Sequence, residues 1–382
     1  MDFTLTPEQR LLRENILRFA REQLNADVKE RDRAEQFSHE LWLKCGEMGL
    51  QGLPVPEAHG GAGLDPLSVA VVLEALGYGC RDGGLVFAIC AHLLACVVPI
   101  WKHGSEQQKR RYLPRLCNGT LIAVNGMTEP QTGSDAFAMA TRAVGDGDGF
   151  RLNGTKTFSS NGPVADVALV YAMTDEAKGF HGGTTAFLVD RNTPGFTTGQ
   201  KFEKLGLRTC SISELVLQDV RVPESAVMGG IGAGGTIFAE SMDWERALLG
   251  ASHIGTMQRL LDQAIEHART RSQFGQPIGK YQAVSHRIAN MKVRTEAARL
   301  LAYRAASRLD KARDASMDAS IAKLFVSEAL VQSALDAVQV LGGYGFMADY
   351  EVERVLRDSV GSTLYSGTSE IQRKIIARWL GL

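Results

Sequence analysis

The sequence predicts an α+β protein, mostly α, in the order helical domain, β domain, helical bundle. Three observations predict it. An apolar period of 3.6 residues runs from 6 to about 118; at Gly119 it gives way to short runs rich in Val, Leu and Thr; after Gly235 the helical period returns. The expected domains are 1–119, all α; 120–228, β; and 229–382, an α-helical bundle.

In the first domain, Thr6-Pro7-Glu8-Gln9 supplies an N-cap and a proline at the first helical position. Leu11, Leu12, Ile16, Phe19 and Ala20 form the face expected to be buried. HELWLKCGEMGLQGLPVP predicts a helix ended by glycine and proline, and EAHGGAGLDP a loop. Helices follow over 67–78 and 85–101, with a short amphipathic one in SEQQKRRYLPRLCNG. The 85–101 run, LVFAICAHLLACVVPIW, is almost continuously apolar but shorter than the roughly 20 residues a membrane span needs. It contains His92 and carries Pro99 near its end, so a buried core helix with a core histidine is expected.

In the second domain, LIAVNGMT, ATRAV, FRLNG, VALVYAMT, TTAFLVD and SELVLQDVRVP read as strands, with GDGDG as a hairpin connection. In the third, helices are expected over 236–270, 281–311, 317–341 and 369–380. Short connections make them antiparallel. Ile321, Leu324, Phe325, Leu335 and Val338 are the expected buried face of the 317–341 helix.

Composition narrows the function. The 382 residues are 45% hydrophobic and 22% charged with a formal net charge of -1, and no basic run is interleaved with aromatics. Nothing attracts nucleic acid. Six cysteines without CxxC spacing read as buried free thiols of a reducing compartment, neither disulfides nor a zinc site, and no metal is expected. The first residues enter a helix directly, without the pattern of a signal peptide, so a cytoplasmic location is expected.

Several stretches carry chemistry only in combination. MDWERALL (242–249) places Glu245 just after a glycine-rich turn, where a glutamate is ordinarily a solvated residue favouring the helix dipole. GGIGAGG (229–235) contains GxGxxG, but no second strand follows, so it is a linker and helix start and not a dinucleotide site. MTEPQTGSD (127–135) and KTFSSNGPVAD (156–166) are loops with hydroxyls and turn residues. TRSQFGQPIGKYQ (270–282) separates two helices, and VQVLGGYGF (338–346) ends one on a glycine pair. In LYSGTSEIQRKII (364–376), Ser369 and Gln372 fit a capping box followed by Ile371, Ile375 and Ile376 as a buried face.

Taken together, in this order and spacing, these stretches resemble the acyl-CoA dehydrogenase family over essentially the whole chain. The resemblance implies a four-helix bundle as the C-terminal domain, FAD as cofactor and a homotetramer with FAD between subunits. It implies that Met127, Thr128 and Ser134 form a first flavin loop, and that Phe158 and Ser160 lie beside the isoalloxazine, Ser160 near N5. Arg271, Gln273, Phe274, Gln339, Gly342 and Gly343 would hold the adenosine and pyrophosphate of an FAD belonging to a neighbouring subunit, and Thr368 and Glu370 would also meet the cofactor. Asp243, Arg246 and Tyr365 would stand on the substrate side.

One departure decides the mechanism. Most of the family has a catalytic glutamate before the Gly-Thr of the last motif; here it is Ser366, and a serine without an adjacent base does not deprotonate a carbon acid at neutral pH. A minority, including isovaleryl-type and long-chain branches, carries the glutamate on the bundle helix directly before an arginine. Glu245-Arg246 matches that pattern. The implied reaction is α,β-dehydrogenation of an acyl thioester: Glu245 takes the α proton, the Ser366 backbone N–H and an FAD ribityl hydroxyl steady the enolate, and the β hydrogen leaves as hydride to the flavin.

GCRDGGLVFAICAHL, SMDWERA and RDSVGSTLYSGTSEIQ further resemble dehydrogenases that oxidise an L-prolyl group on a peptidyl carrier protein toward a pyrrolyl thioester. That implies a phosphopantetheinyl carrier protein as partner. The alternatives are a short or branched-chain acyl-CoA dehydrogenase and a non-catalytic FAD-binding relative.

Overall fold

The computed structural model describes residues 4–382 apart from Asp310 and Arg313. Seven α-helices come first: α1 (Pro7–Gln23), α2 (Val28–Ala34), α3 (His39–Glu47), α4 (Pro66–Gly79), α5 (Gly83–His92), α6 (Val98–His103) and α7 (Glu106–Cys117). Thr6 caps α1, and Gln9 returns the bond to the Thr6 N–H, closing a capping box. Ile16 and Ala20 are buried as expected, but Leu11 is 59% exposed. It sits on the outer side of α1, beyond the stripe that meets α4.

Between α5 and α6, Leu93–Val97 forms a π turn, so the chain is helical without interruption over Gly83–His103. That helix and the later Ala315–Leu341 are long and apolar enough to cross a membrane, yet most of Gly83–His103 is buried inside the protein. His92 is a core histidine, as the sequence predicts: Nε2 meets Leu116 O at 3.1 Å and Nδ1 accepts from Ala123 N at 3.0 Å. Burial pulls its pKa down to about 4, so it is neutral with the proton on Nε2. All six cysteines are buried free thiols.

Eight strands follow: β1 (Ala123–Gly126), β2 (Arg142–Asp146), β3 (Gly149–Ser160), β4 (Val167–Met173), β5 (Thr184–Asp190), β6 (Phe196–Lys201), β7 (Ile212–Pro223) and β8 (Val227–Met228), with a short α8 (Gly179–Gly183) before β5. They form one sheet in the order β6-β7-β3-β2-β4-β5-β8, with β1 pairing β4. The sequence reading missed β6 and β8. FTTGQK carries little apolar signal because β6 is an edge strand, half to fully exposed. Every residue of β4 is buried. Ala168, Val170 and Ala172 face the core of the sheet, while Leu169 and Tyr171 belong to the core shared with the helices. Burial on both faces explains why the strand reads as one apolar run.

Gly234 begins α9 (Gly234–Thr270), 37 residues and about 55 Å long. A two-stranded hairpin, β9 (Ser272–Gln273) with β10 (Gln276–Pro277), leads to α10 (Gln282–Arg308), α11 (Ala315–Leu341), α12 (Gly343–Phe346), α13 (Val352–Gly361) and α14 (Ser369–Trp379). α10 ends at Arg308, short of the expected 311, and Asp310 lies outside the described residues. α4 crosses α9 at glycines: a Cβ on Gly77 would lie 1.9 Å from Ser252 O, and one on Gly255 2.0 Å from Glu74 O. Only glycine permits that approach.

The buried face of α11 differs from the expected one. It is a stripe of Ala319, Ala322, Lys323, Val326, Ala329, Leu330, Ala334 and Ala337, whereas Leu335 is 45% exposed and Ile321, Leu324, Phe325 and Val338 are half-buried. Small residues let α11 pack closely against α9 and α10, so its larger apolar residues turn outward. α14 also corrects an expectation. Its N-cap is Thr368, whose hydroxyl accepts from Ile371 N, and Gln372 instead donates to the Ser366 and Gly367 carbonyls at 3.0 and 2.8 Å.

Candidate active site

A cleft of about 220 Å³ lies where the three domains meet. One wall comes from the loop after β1 and the end of β3, with Met127, Thr128, Ser134, Phe158 and Ser160 among its lining. Register slips between Lys156 and Ser159 in the pairing of β3 with β7, and Phe158 takes φ +52°. This β-bulge tips the ring outward, 61% exposed and 5.3 Å from the ring of Phe202.

The loop is fixed from beneath by a buried ion pair that the sequence reading did not single out. Lys156 Nζ donates to Glu129 Oε1 at 2.8 Å and to Met127 O at 3.2 Å, while Glu129 accepts from the N–H groups of Ala140 and Thr141. Burial pulls Lys156 down to about 8 against the opposing pull of Glu129. Burial would raise Glu129, but Lys156 and the loop hydrogen bonds hold it below the ordinary carboxylate range. Both residues stood in quoted motifs, but a Glu and a Lys 27 positions apart carry no local sign of pairing.

The opposite wall is helical. α9 contributes Phe238, Met242, Glu245 and Arg246, and the 83–103 helix contributes Phe87, Ala91 and Ala95. The π turn gives this helix its shape: Asn125 Nδ2 and Ser241 Oγ donate to the Ala95 and Leu94 carbonyls at 3.0 and 3.4 Å.

Glu245 is 7% exposed and is the one carboxylate among the described lining residues. Ser366 Oγ donates to its Oε1 at 2.5 Å. Burial raises its pKa, opposed by the Ser366 hydroxyl, Arg246 and Lys323. Ser366 and Gly367 sit in a left-handed turn, φ +57° and +87°. Tyr365 packs its ring 4.6 Å from Phe87 and meets His253 Nε2 through its hydroxyl at 2.8 Å. Burial holds His253 near 4, so its imidazole is neutral.

The cleft thus gathers Met127, Thr128, Ser134, Phe158, Ser160, Glu245, Arg246, Tyr365 and Ser366. Asp243 does not line it; its carboxylate accepts from Ser316 Oγ at 2.8 Å and lies 3.7 Å from Arg246, because its place on α9 turns it toward α11. Thr368 is spent on the cap of α14, and Glu370 is exposed on its first turn. Arg271, Gln273 and Phe274 lie exposed on and beside the β9–β10 hairpin, and Gln339, Gly342 and Gly343 are exposed at the end of α11. The two groups approach each other where Arg271 lies 5.8 Å over the Tyr344 ring.

Matches to known families cover this whole arrangement: the acyl-CoA dehydrogenase N-terminal domain over residues 6–120, the middle domain over 125–220 and the C-terminal domain over 232–381. The chain belongs to the acyl-CoA dehydrogenase family. It is an FAD-dependent oxidoreductase of acyl thioesters. It is similar to an L-prolyl-[peptidyl-carrier protein] dehydrogenase of Pseudomonas fluorescens, 44% identical over 383 residues, with 100% of both chains covered. Among solved structures it is similar to PigA with FAD and proline (TM-score 0.98, 43% identical, 100% of both chains). It is also similar to the prolyl acyl carrier protein oxidase AnaB (TM-score 0.97, 43% identical, 99% of this chain and 100% of that one).

The donor set fits a flavin of that family. The β wall offers an exposed flat ring, the four hydroxyls of Thr128, Ser134, Thr157 and Ser160, and backbone groups but no charged side chain, which suits the face and the heteroatom edge of a neutral tricyclic ring.

Proposed function

We propose that the enzyme carries out the α,β-dehydrogenation of an L-prolyl group held as a thioester on a phosphopantetheinyl carrier protein, toward the pyrrolyl thioester, with Glu245 as the base. The observation that carries the reading is the buried carboxylate of Glu245, held by Ser366 Oγ in a cleft with no other acid among its described lining residues. The resemblance to carrier-protein dehydrogenases over the full chain supports the substrate.

Bound FAD supplies the acceptor for the hydride that leaves the β carbon. Glu245 takes the α proton: its burial raises proton affinity, and the Ser366 hydroxyl fixes which oxygen is engaged. The backbone N–H of Ser366 is the donor to the thioester carbonyl oxygen, where negative charge builds as the proton departs. Phe87, Ala91, Tyr365 and Met242 keep water from the acyl group. Arg246 belongs to the active-site wall, and Asp243 acts on the substrate side only through it. A pyrrole requires more than one two-electron oxidation.

This reading gives the exposed groups Arg271, Gln273, Phe274, Gln339, Gly342 and Gly343 to the FAD of a neighbouring copy in a homotetramer, and has Thr368 and Glu370 also meet the cofactor. The outward Leu335, Val293 and Leu300 are 45%, 67% and 52% exposed, which suits a contact between copies. A cytoplasmic setting accords with six unpaired thiols.

The test is anaerobic mixing of the FAD-loaded protein with L-prolyl carrier protein and, separately, with isovaleryl-CoA. Rapid bleaching of the flavin by the prolyl carrier is expected. Faster bleaching by isovaleryl-CoA assigns the enzyme to acyl-CoA substrates instead.

A further inference from the structure

The Ser366–Gly367 turn is held by three helices at once. Arg246 Nε on α9 donates to Ser366 O at 3.0 Å; Gln372 Nε2 on α14 donates to both carbonyls; Lys323 Nζ on α11 donates to Gly367 O at 2.7 Å. Gln372 must present its amide nitrogen here, since only N–H groups can serve two carbonyls. A Cβ on Gly367 would lie 2.8 Å from that nitrogen. Left-handed backbone at a serine persists only where its surroundings over-determine it, and these three donors do so.

Lys323 is the unexpected member. It is 6% exposed on a buried face of α11 made otherwise largely of Ala and Ser, and it forms no salt bridge among the described residues. A buried ammonium ion is costly unless bonded, so its one carbonyl contact is a poor return in stability alone. Through Gly367 O it fixes the peptides whose neighbour, Ser366, holds the base. We propose that Lys323 is a positioning residue for catalysis, setting the Ser366–Gly367 turn by its hydrogen bond and biasing Glu245 toward the ionised form by its charge. The proposal rests on Glu245 being the base.

The groups facing Glu245 are Arg246 from its own helix, Lys323 from α11, Cys90 and Cys96 from the 83–103 helix, Tyr171 from β4, and Tyr365 and Ser366 from the turn. Lys323 and Arg246 are the cations of that set. Lys323 itself faces Arg246, Glu245, Glu328, Glu370 and His253, and burial with Arg246 draws its pKa down to about 8.

The test follows flavin reduction by the thioester across pH in FAD-loaded Lys323→Met, Lys323→Gln and Glu245→Gln. Lys323→Met is expected to keep its FAD, lose about tenfold to a hundredfold in reduction rate, the scale on which small misplacements act, and show its acidic limb at higher pH. Lys323→Gln, which keeps an N–H donor without the charge, is expected to recover most of the rate while the limb stays displaced. Wild-type rate and limb in Lys323→Met overturn the proposal; if that variant does not fold, the same result in Lys323→Gln does so. Glu245→Gln separates the two levels. If it reduces flavin normally, the base assignment fails; if it is inactive while the Lys323 variants match wild type, only the role of Lys323 fails.

Discussion

Ser366 Oγ donates a 2.5 Å hydrogen bond to Glu245 Oε1 across 121 positions of sequence, so the serine standing where most of the family has its base holds the one carboxylate among the described residues lining the cleft. The bond is charge-assisted when Glu245 is ionised and favours that state, against the burial that disfavours it.

Glu245→Gln keeps the shape and the contact with Ser366 but cannot take a proton. The variant is expected to purify with FAD and to reduce it at least about a thousandfold more slowly on mixing with the thioester, read at the flavin absorbance band.

Ser366→Ala removes the donor that offsets burial. The Glu245 pKa is then expected to rise further, moving the acidic limb of the reduction rate to higher pH, with a loss of about three- to tenfold at neutral pH. A pH series of single-turnover rates checks the direction.

Gly367→Ala places a Cβ 2.8 Å from Gln372 Nε2 and 3.1 Å from Ile371 Cγ2 at a residue with φ +87°. The turn has to shift, costing about 1–3 kcal/mol of stability and most of the reduction rate. Thermal unfolding and stopped-flow absorbance measure the two losses.

Asp358 lines an interior cavity of about 40 Å³ behind Tyr365, and burial raises its pKa to about 7 although Leu207 N donates to it. The folded state therefore keeps a proton that the unfolded state releases near its ordinary value of 3.8. By linkage this contribution to stability is fully present below about pH 4 and is lost as pH rises through about 7. Asp358→Asn stays neutral throughout and retains an acceptor, so urea unfolding should show its advantage over wild type growing from little near pH 4 to on the order of 4 kcal/mol at pH 8.5.

Arg271→Ala tests the exposed group beyond the cleft. If Arg271 holds the cofactor of a neighbouring copy, FAD binding weakens about tenfold, the scale of one charge-assisted contact. Equilibrium dialysis reads it, and light scattering shows whether the assembly survives.

Much of the architecture was legible because its signals are periodic. The α, β, α order, the N-cap at Thr6 and the core helix around His92 follow from residues within a few positions of each other. What escaped depends on packing at a distance. Edge strand β6 has almost no apolar face, and the buried stripe of α11 is written in alanine, which carries little hydropathy, while its larger residues turn out. In the site, Glu245 and Ser366 were found through motif resemblance. Lys323, Gln372, Asn125 and the Lys156–Glu129 pair were not, because each acts on backbone or on a partner brought near only by folding.

The π turn at Leu93–Val97 inserts one surplus residue into a helix that otherwise keeps its course. It therefore clocks the two halves of that rod against each other by about 100°, the arc of a single residue. Phe87 and Ala91 look into the reaction chamber from the upstream half, whereas Val98 and Ile100 downstream are committed to the protein interior. Redesign of the chamber can exchange side chains on the upstream half one at a time, but a one-residue deletion outside the π turn would spin the contacts of one half out of phase.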